Sequence, residues 1–246
     1  MDIIKQFKGF SGSDVFLVKE NNQVFVRKIK NIDRNFNQLK ILKSLSINCP
    51  EILSRKDQVM DMEYIHGIDM FTYLNHNNEN NLSSFLENVL SSLSKNSVDF
   101  DYSLIYNKKL KEINYSGLPF SDVELFNKLP KILPRSNYHG DLTLENVIYS
   151  TNGNFYLIDP MTTEYDSYIF DVGKLMQDVM CKWFLRDQKQ YISTKLYNIE
   201  KTIFNLYPIA NNNYIIILML LRVLKNCKTN SFEHNFILSE INKLWK

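Results

Sequence analysis

Asn146 and Asp159 bracket a stretch whose pattern would bring a side-chain amide oxygen and a carboxylate to one place, the donor chemistry of a hard-cation site. Between them runs NVIYSTNGNFYLID, where Asn152-Gly153 is a two-residue hairpin signal with apolar strand residues on both sides. With those two residues in the turn, paired positions sum to 305, and Asn146 falls opposite Asp159 at the open end. Opposed Cα atoms on antiparallel strands lie about 4.5–5.5 Å apart, so both side chains can serve one Mg²⁺ that keeps waters and substrate phosphates. Taken singly, each residue has a plainer reading: Asn146 caps a turn, and Asp159, followed by Pro160, opens a loop.

The surrounding pattern supplies elements to hold this pair. Alternation predicts strands over 3–10, 14–19 and 23–29, with Asn21-Asn22 as the turn of the last two. Phe36, Leu39, Leu42 and Leu45 recur at spacings of three, which predicts a helix over 33–45, and Pro50 follows its end. Strand-like runs at 52–56 and 59–65 precede a break at His66-Gly67, the expected lobe boundary. Beyond it, helices are predicted over 82–93, 122–133, 171–185 and 214–224, interrupted by the hairpin at 147–158. No internal repeat is present.

Composition narrows the function classes. The 246 residues are 44% hydrophobic, enough for a substantial core. A net charge of +2, scattered along the chain, leaves no footprint for nucleic acid or an anionic membrane. The longest apolar run, 214–221, is too short to cross a bilayer, so no membrane insertion is expected. The N-terminus lacks a signal-peptide core, and Cys49, Cys181 and Cys227 are odd in number and far apart, which fits a reducing cytoplasm. His66, His76, His139 and His234 show no ligand spacing for a transition metal.

Just before the hairpin stands Tyr138-His139-Gly140-Asp141-Leu142-Thr143-Leu144-Glu145-Asn146. HGDLTLEN resembles the catalytic loop of aminoglycoside phosphotransferases and choline kinases, relatives of protein kinases in which HGD replaces HRD. The five-residue step from Asp141 to Asn146, and Ile158-Asp159-Pro160 in the place of DFG, extend the likeness. The resemblance implies an α+β, bilobal protein-kinase-like fold: a small antiparallel-sheet N-lobe (1–66) with one helix and a hinge, and a mainly helical C-lobe (67–246). It implies transfer of the γ-phosphoryl group of ATP, with GTP an alternative, to a hydroxyl of a small molecule. In that scheme Asp141 orients the acceptor hydroxyl, Asn146 and Asp159 hold Mg²⁺ against the phosphates, and His139 supports the loop.

Gly9-Phe10-Ser11-Gly12-Ser13-Asp14-Val15 joins two predicted strands, and its small residues let backbone amides approach phosphates. It is not a Walker A sequence; beside the catalytic loop, Gly9, Ser11, Gly12 and Ser13 resemble the family's phosphate-covering loop. In the hairpin centred on Asn21-Asn22 pairs sum to 43, which places Lys28 opposite Val15 and Val26 opposite Leu17, with Arg27 on the other face. That parity selects Lys28 as the strand lysine for the α- and β-phosphates. Gln38 stands where the family's helix carries a glutamate, a departure, since an amide can orient Lys28 but not neutralise it. Glu63, Tyr64 and Ile65 resemble the adenine-contacting hinge, and Asp171 the anchor of the catalytic loop, although a helix N-cap is an equally simple reading of Asp171.

For the acceptor, residues 141–187 carry eight acidic and three basic side chains, so Glu164, Tyr165, Asp166 and Trp183 are candidates for an ammonium-binding wall. Against that, residues 67–246 hold 18 Lys and Arg and 19 Asp and Glu, too even a balance for a polycation pocket. A sugar or amino alcohol, in surface-polysaccharide or lipid-headgroup metabolism, is the expected acceptor, with an aminoglycoside as the alternative. A pseudokinase-like regulatory protein is the rival from another class; Gln38 favours it, and Lys28, Asp141, Asn146 and Asp159 oppose it.

Overall fold

The computed structural model describes residues 2–7, 12–188 and 192–246. Its first elements are β1 (Asp2–Phe7), β2 (Asp14–Glu20), β3 (Gln23–Ile29), α1 (Ile32–Ser44), β4 (Ile52–Lys56) and β5 (Val59–Glu63). The strands form one antiparallel sheet in the order β1-β2-β3-β5-β4. Asn21 and Asn22 take φ of 49° and 63°, so the β2–β3 turn is of the twofold left-handed kind that asparagine tolerates. The register follows: Val15 pairs with Lys28 and Leu17 with Val26. On α1 the buried stripe is Ile32, Asn35, Gln38, Leu39 and Leu42, while Phe36 sits half-exposed beneath the cations of Lys40 and Arg55.

Next come β6 (Gly67–Asp69), α2 (Met70–His76), α3 (Asn80–Ser94), β7 (Val98–Asp101), α4 (Ser103–Leu110), α5 (Asp122–Lys128) and β8 (Ile132–Arg135). The chain ends with β9 (Val147–Ser150), β10 (Phe155–Leu157), α6 (Tyr168–Val179), α7 (Ser193–Leu206), α8 (Asn213–Leu224) and α9 (Phe232–Leu244). Two predicted helices are shorter than expected. α5 stops before Leu129 because Pro130 disfavours helical backbone in the residue ahead of it, and β8 forms where the helix was expected to continue. α6 ends at Val179, and after Lys182 at φ 58° only a 3₁₀ turn, Trp183–Leu185, remains of the tail.

The hairpin expected over 147–158 also differs by one residue. Tyr149 pairs with Phe155 and Val147 with Leu157, so paired positions sum to 304. The loop is three residues long, with Ser150 N–H donating to Asn154 O and Gly153 at φ 83° as the left-handed residue. Asn146 therefore faces Ile158, whose N–H donates to Asn146 O at 2.9 Å, and Asp159 lies one position beyond the ladder.

Contacts group the chain into two units, Met1–Tyr73 with Glu145–Thr163, and Leu74–Leu144 with Glu164–Lys246. In the first unit β6 pairs with β9, Leu157 N–H donates to Asn48 O, and Thr151 N–H donates to His66 O, which ties the hairpin to the N-terminal segment. Gly67 is required there, because a Cβ would come within 2.3 Å of Tyr149 O. The rings of Tyr73, Tyr149 and Phe155 close this small core. In the second unit the centre is α8, buried from Ile215 through Leu221, against which α6 packs closely enough that a Cβ on Gly173 would stand 3.0 Å from Ile215. Tyr102 and Tyr106 stack in the same core, with the Phe170 ring edge-on to both. Among the described residues no helix is long and apolar enough to cross a membrane.

Candidate active site

The first unit joins residues remote in sequence. Lys28 is buried, 3% exposed, and its Nζ lies 2.7 Å from Asp159 Oδ1. Arg27, on the opposite face of β3, makes a two-pronged pair with Asp61, so the two adjacent cations serve different faces as period-two alternation requires. α1 adds a third partner. Asn35 Nδ2 donates to Asp159 Oδ1 at 2.8 Å and to Pro160 O at 2.6 Å, tying the carboxylate and the next carbonyl to α1. Asp159 takes φ of 52°, a left-handed conformation that a short polar side chain accepts more readily than most residues. Its side chain stays half exposed, so the carboxylate is open to a further ligand.

The donors fit a hard cation. Asn146 and Asp159 offer an amide oxygen and a carboxylate, both suited to Mg²⁺. Among the described residues no group of three or more His, Cys, Asp or Glu makes a protein cage for a metal. Two oxygen donors of this kind would suit a cation that retains water and phosphate oxygens. Of the other residues singled out for the nucleotide, Gly9 and Ser11 lie outside the described residues. Gly12 takes φ of 70°, and Ser13 Oγ donates to Lys30 O, which fastens the start of β2. Val26 pairs with Leu17 on one side and Met62 on the other. Glu63 N–H donates to Glu51 O, while Tyr64 and Ile65 follow β5 outside any ladder. Gln38 lies one turn beyond Asn35 on the same buried face of α1.

In the second unit one face of α6 grips the loop that carries Asp141. Asp171, Lys174 and Asp178 recur at spacings of three and four, which places them in a row along one side of a helix. Asp171 accepts from the N–H groups of His139 at 2.5 Å and Gly140 at 2.8 Å, and Asp178 accepts from Leu144 N–H at 2.7 Å. Lys174 Nζ reaches Asp141 Oδ1 at 3.1 Å. From α8, Arg222 donates to Gly140 O at 3.1 Å. Gly140, at φ 88°, makes the bend that lets donors and acceptors on both sides of the loop be met. The cap of α6 is Ser167, which accepts from Ile169 N–H, so Asp171 is not the N-cap.

These contacts set the charges. Burial pushes the Asp141 carboxyl up, but Lys174 and then Arg222 pull it harder the other way, to below the usual carboxylate range. Asp141 is thus an anion at neutral pH, poised to accept a hydrogen bond. Burial lifts Asp171 to about 7, against the loop amides that pull it down. His139 is fully buried, and its Nδ1 accepts from Asp141 N–H at 3.3 Å. Lys174, Asp178 and Arg222 were not singled out in the sequence. The helical spacing from Asp171 was the available signal for the first two; Arg222, 82 residues from Gly140, offered none.

The residues proposed for an acceptor wall all lie in this second unit, and each has a partner. Glu164 pairs with Lys108 at 2.5 Å and Lys109 at 2.9 Å. Asp166 pairs with Arg135 at 2.9 Å and accepts from the Tyr102 hydroxyl at 2.9 Å. Tyr165 is buried against Phe170, with the Arg222 guanidinium 5.3 Å from its ring centre. Trp183 is buried against Phe236, with Arg186 4.3 Å from its ring centre.

Residues 3–195 match the phosphotransferase enzyme family. No curated protein sequence matches the chain. Solved structures match in fold. Aminoglycoside phosphotransferase APH(4)-Ia aligns with TM-score 0.66 at 10% identity, over 99% of this chain and 92% of that one. A thermostable mutant of it, in a ternary complex with ADP and hygromycin B, aligns with the same score, identity and coverage. Choline kinase LicA from Streptococcus pneumoniae aligns with TM-score 0.55 at 16% identity, over 98% of this chain and 92% of that one.

Proposed function

The chain belongs to the phosphotransferase enzyme family, and we propose that it moves the γ-phosphoryl group of ATP, with Mg²⁺, onto a hydroxyl of a sugar or amino alcohol. The observation that carries this reading is the Lys28–Asp159 pair. The strand lysine selected by parity for phosphate, and the carboxylate selected for metal, meet although 131 positions separate them. Structures similar in fold hold ADP or AMP, which supports a nucleotide here.

Each residue then has a task. Lys28 binds the α- and β-phosphates, and Asp159 and Asn146 hold the cation, with Asn35 keeping the Asp159 carboxylate in place. Bound Mg²⁺ supplies neutralisation of phosphate charge. Asp141 accepts the hydrogen bond of the acceptor hydroxyl and aims its oxygen, and Lys174 keeps that carboxylate ionised. Catalysis of this kind is positioning plus electrostatics, which suits a loop gripped at four backbone groups.

Incubating the protein with ATP, Mg²⁺ and mixed sugars and amino alcohols should produce a new phosphomonoester signal in phosphorus NMR together with ADP. ADP release that no acceptor changes, with no ester formed, would overturn the reading. Asn35→Ala should weaken Mg²⁺–ATP binding by about tenfold, since a hydrogen bond to a charged group contributes roughly 1.5 kcal/mol or more. Calorimetry checks it, and an unchanged affinity would remove Asn35 from the site.

A further inference from the structure

We infer that the acceptor carries no ammonium group and is an uncharged hydroxyl compound of the sugar or polyol class. This rests on the phosphotransfer reading and narrows its substrate.

An enzyme that receives an amine or quaternary ammonium needs carboxylates or aromatic faces left open to it. In the second unit the groups best placed by sequence for that task already hold cations of the chain itself. Glu164 is bracketed by Lys108 and Lys109, and Lys109 also pairs with Glu112. Asp166 is taken by Arg135 and by the Tyr102 hydroxyl. The rings follow the same pattern, with Arg222 at Tyr165 and Arg186 at Trp183. At Asp141, the carboxylate that would meet the acceptor, Lys174 stands 3.1 Å away with only 7% of its side chain exposed, and Arg222 holds the neighbouring Gly140 carbonyl.

An incoming ammonium would therefore have to displace a resident cation or lie beside Lys174 and Arg222 and be repelled by both. A hydroxyl compound without charge meets no such cost, because the Asp141 carboxylate still accepts its proton. The opposite class is no better served: a carboxylate or phosphate on the acceptor would face cations whose charge is already balanced by Asp141, Asp166 and Glu164. Of the acidic residues over 141–187, Asp141, Glu164 and Asp166 thus face cations of the chain itself, and Asp171 and Asp178 hold the catalytic-loop amides.

Two measurements on the intact wild-type protein test this. In turnover with Mg²⁺–ATP, neutral sugars and polyols are compared with choline, ethanolamine and an aminoglycoside at equal concentration, each read by phosphorus NMR. The expected result is ester formed only on the neutral compounds, at least a hundredfold faster than on any ammonium compound. In calorimetry with Mg²⁺–ADP present, choline and the aminoglycoside should give no binding at millimolar concentration. Sub-millimolar binding or comparable turnover of either one would overturn the inference while leaving phosphotransfer intact. Absence of Mg²⁺–ADP binding would instead be the failure of the phosphotransfer reading itself.

Discussion

Asp141→Asn is expected to lower phosphoryl transfer by about 10²–10⁴-fold while leaving nucleotide affinity within about twofold of wild type. The substitution is nearly isosteric, and the backbone contacts at this position, Thr143 N–H to Asp141 O and Asp141 N–H to His139 Nδ1, do not depend on the side chain. What changes is charge. Lys174 would face an amide in place of a carboxylate, and the acceptor hydroxyl would lose the anion that aligns it. Because Lys28, Asn35 and Asp159 belong to the other unit, the loss should appear in kcat at saturating nucleotide. Retained kcat, or a loss confined to nucleotide affinity, would move the acceptor role away from Asp141.

Asp159→Ala should produce the complementary pattern, with Mg²⁺–nucleotide binding weakened by more than about 10²-fold, because the proposed metal ligand and the partner of Lys28 vanish together. Stability should fall as well. Removing one partner of a fully buried ion pair costs about 3–5 kcal/mol, and here the Asp159 side chain is half exposed. Solvent screening brings the expected loss to about 1–2 kcal/mol. Lys28, 3% exposed, is left with less compensation than before. Urea unfolding and calorimetry on the same preparation separate the two effects. Normal Mg²⁺–nucleotide affinity in a destabilised variant would make Asp159 structural only.

The sheet and the register that sets Lys28 opposite Val15 were legible because strand alternation has a period of two and Asn21-Asn22 admits a tight turn, so one assumption about the loop set every pair in β2 and β3. The same arithmetic missed by one residue at the hairpin of β9 and β10, since Asn152-Gly153 is part of a three-residue loop in which Gly153 alone takes the left-handed position expected of both. Asn35 was not legible as a site residue. A polar residue inside the stripe Ile32, Leu39 and Leu42 signals a buried partner without naming it, and that partner is 124 positions away. The α6 face that grips the loop was half visible: Asp171 stood out through its resemblance, whereas Lys174 and Asp178 needed the helix phase to be followed two turns further. The grouping of the hairpin with the N-terminal segment depends on β6, a three-residue strand too short to show alternation. The candidate ammonium wall illustrates the limit of counting charges, because the cations that neutralise Glu164 and Asp166, namely Lys108, Lys109 and Arg135, come from segments before the catalytic loop.

Lys28, Asn146 and Asp159 are proposed to form one Mg²⁺–nucleotide site. Titrating ATP into the wild-type protein by calorimetry, with Mg²⁺ and then with EDTA in its place, tests it most directly. Saturable binding below millimolar concentration with Mg²⁺ is expected, with a loss of at least tenfold in affinity without it. No binding of ATP or GTP at millimolar concentration in the presence of Mg²⁺ would contradict it.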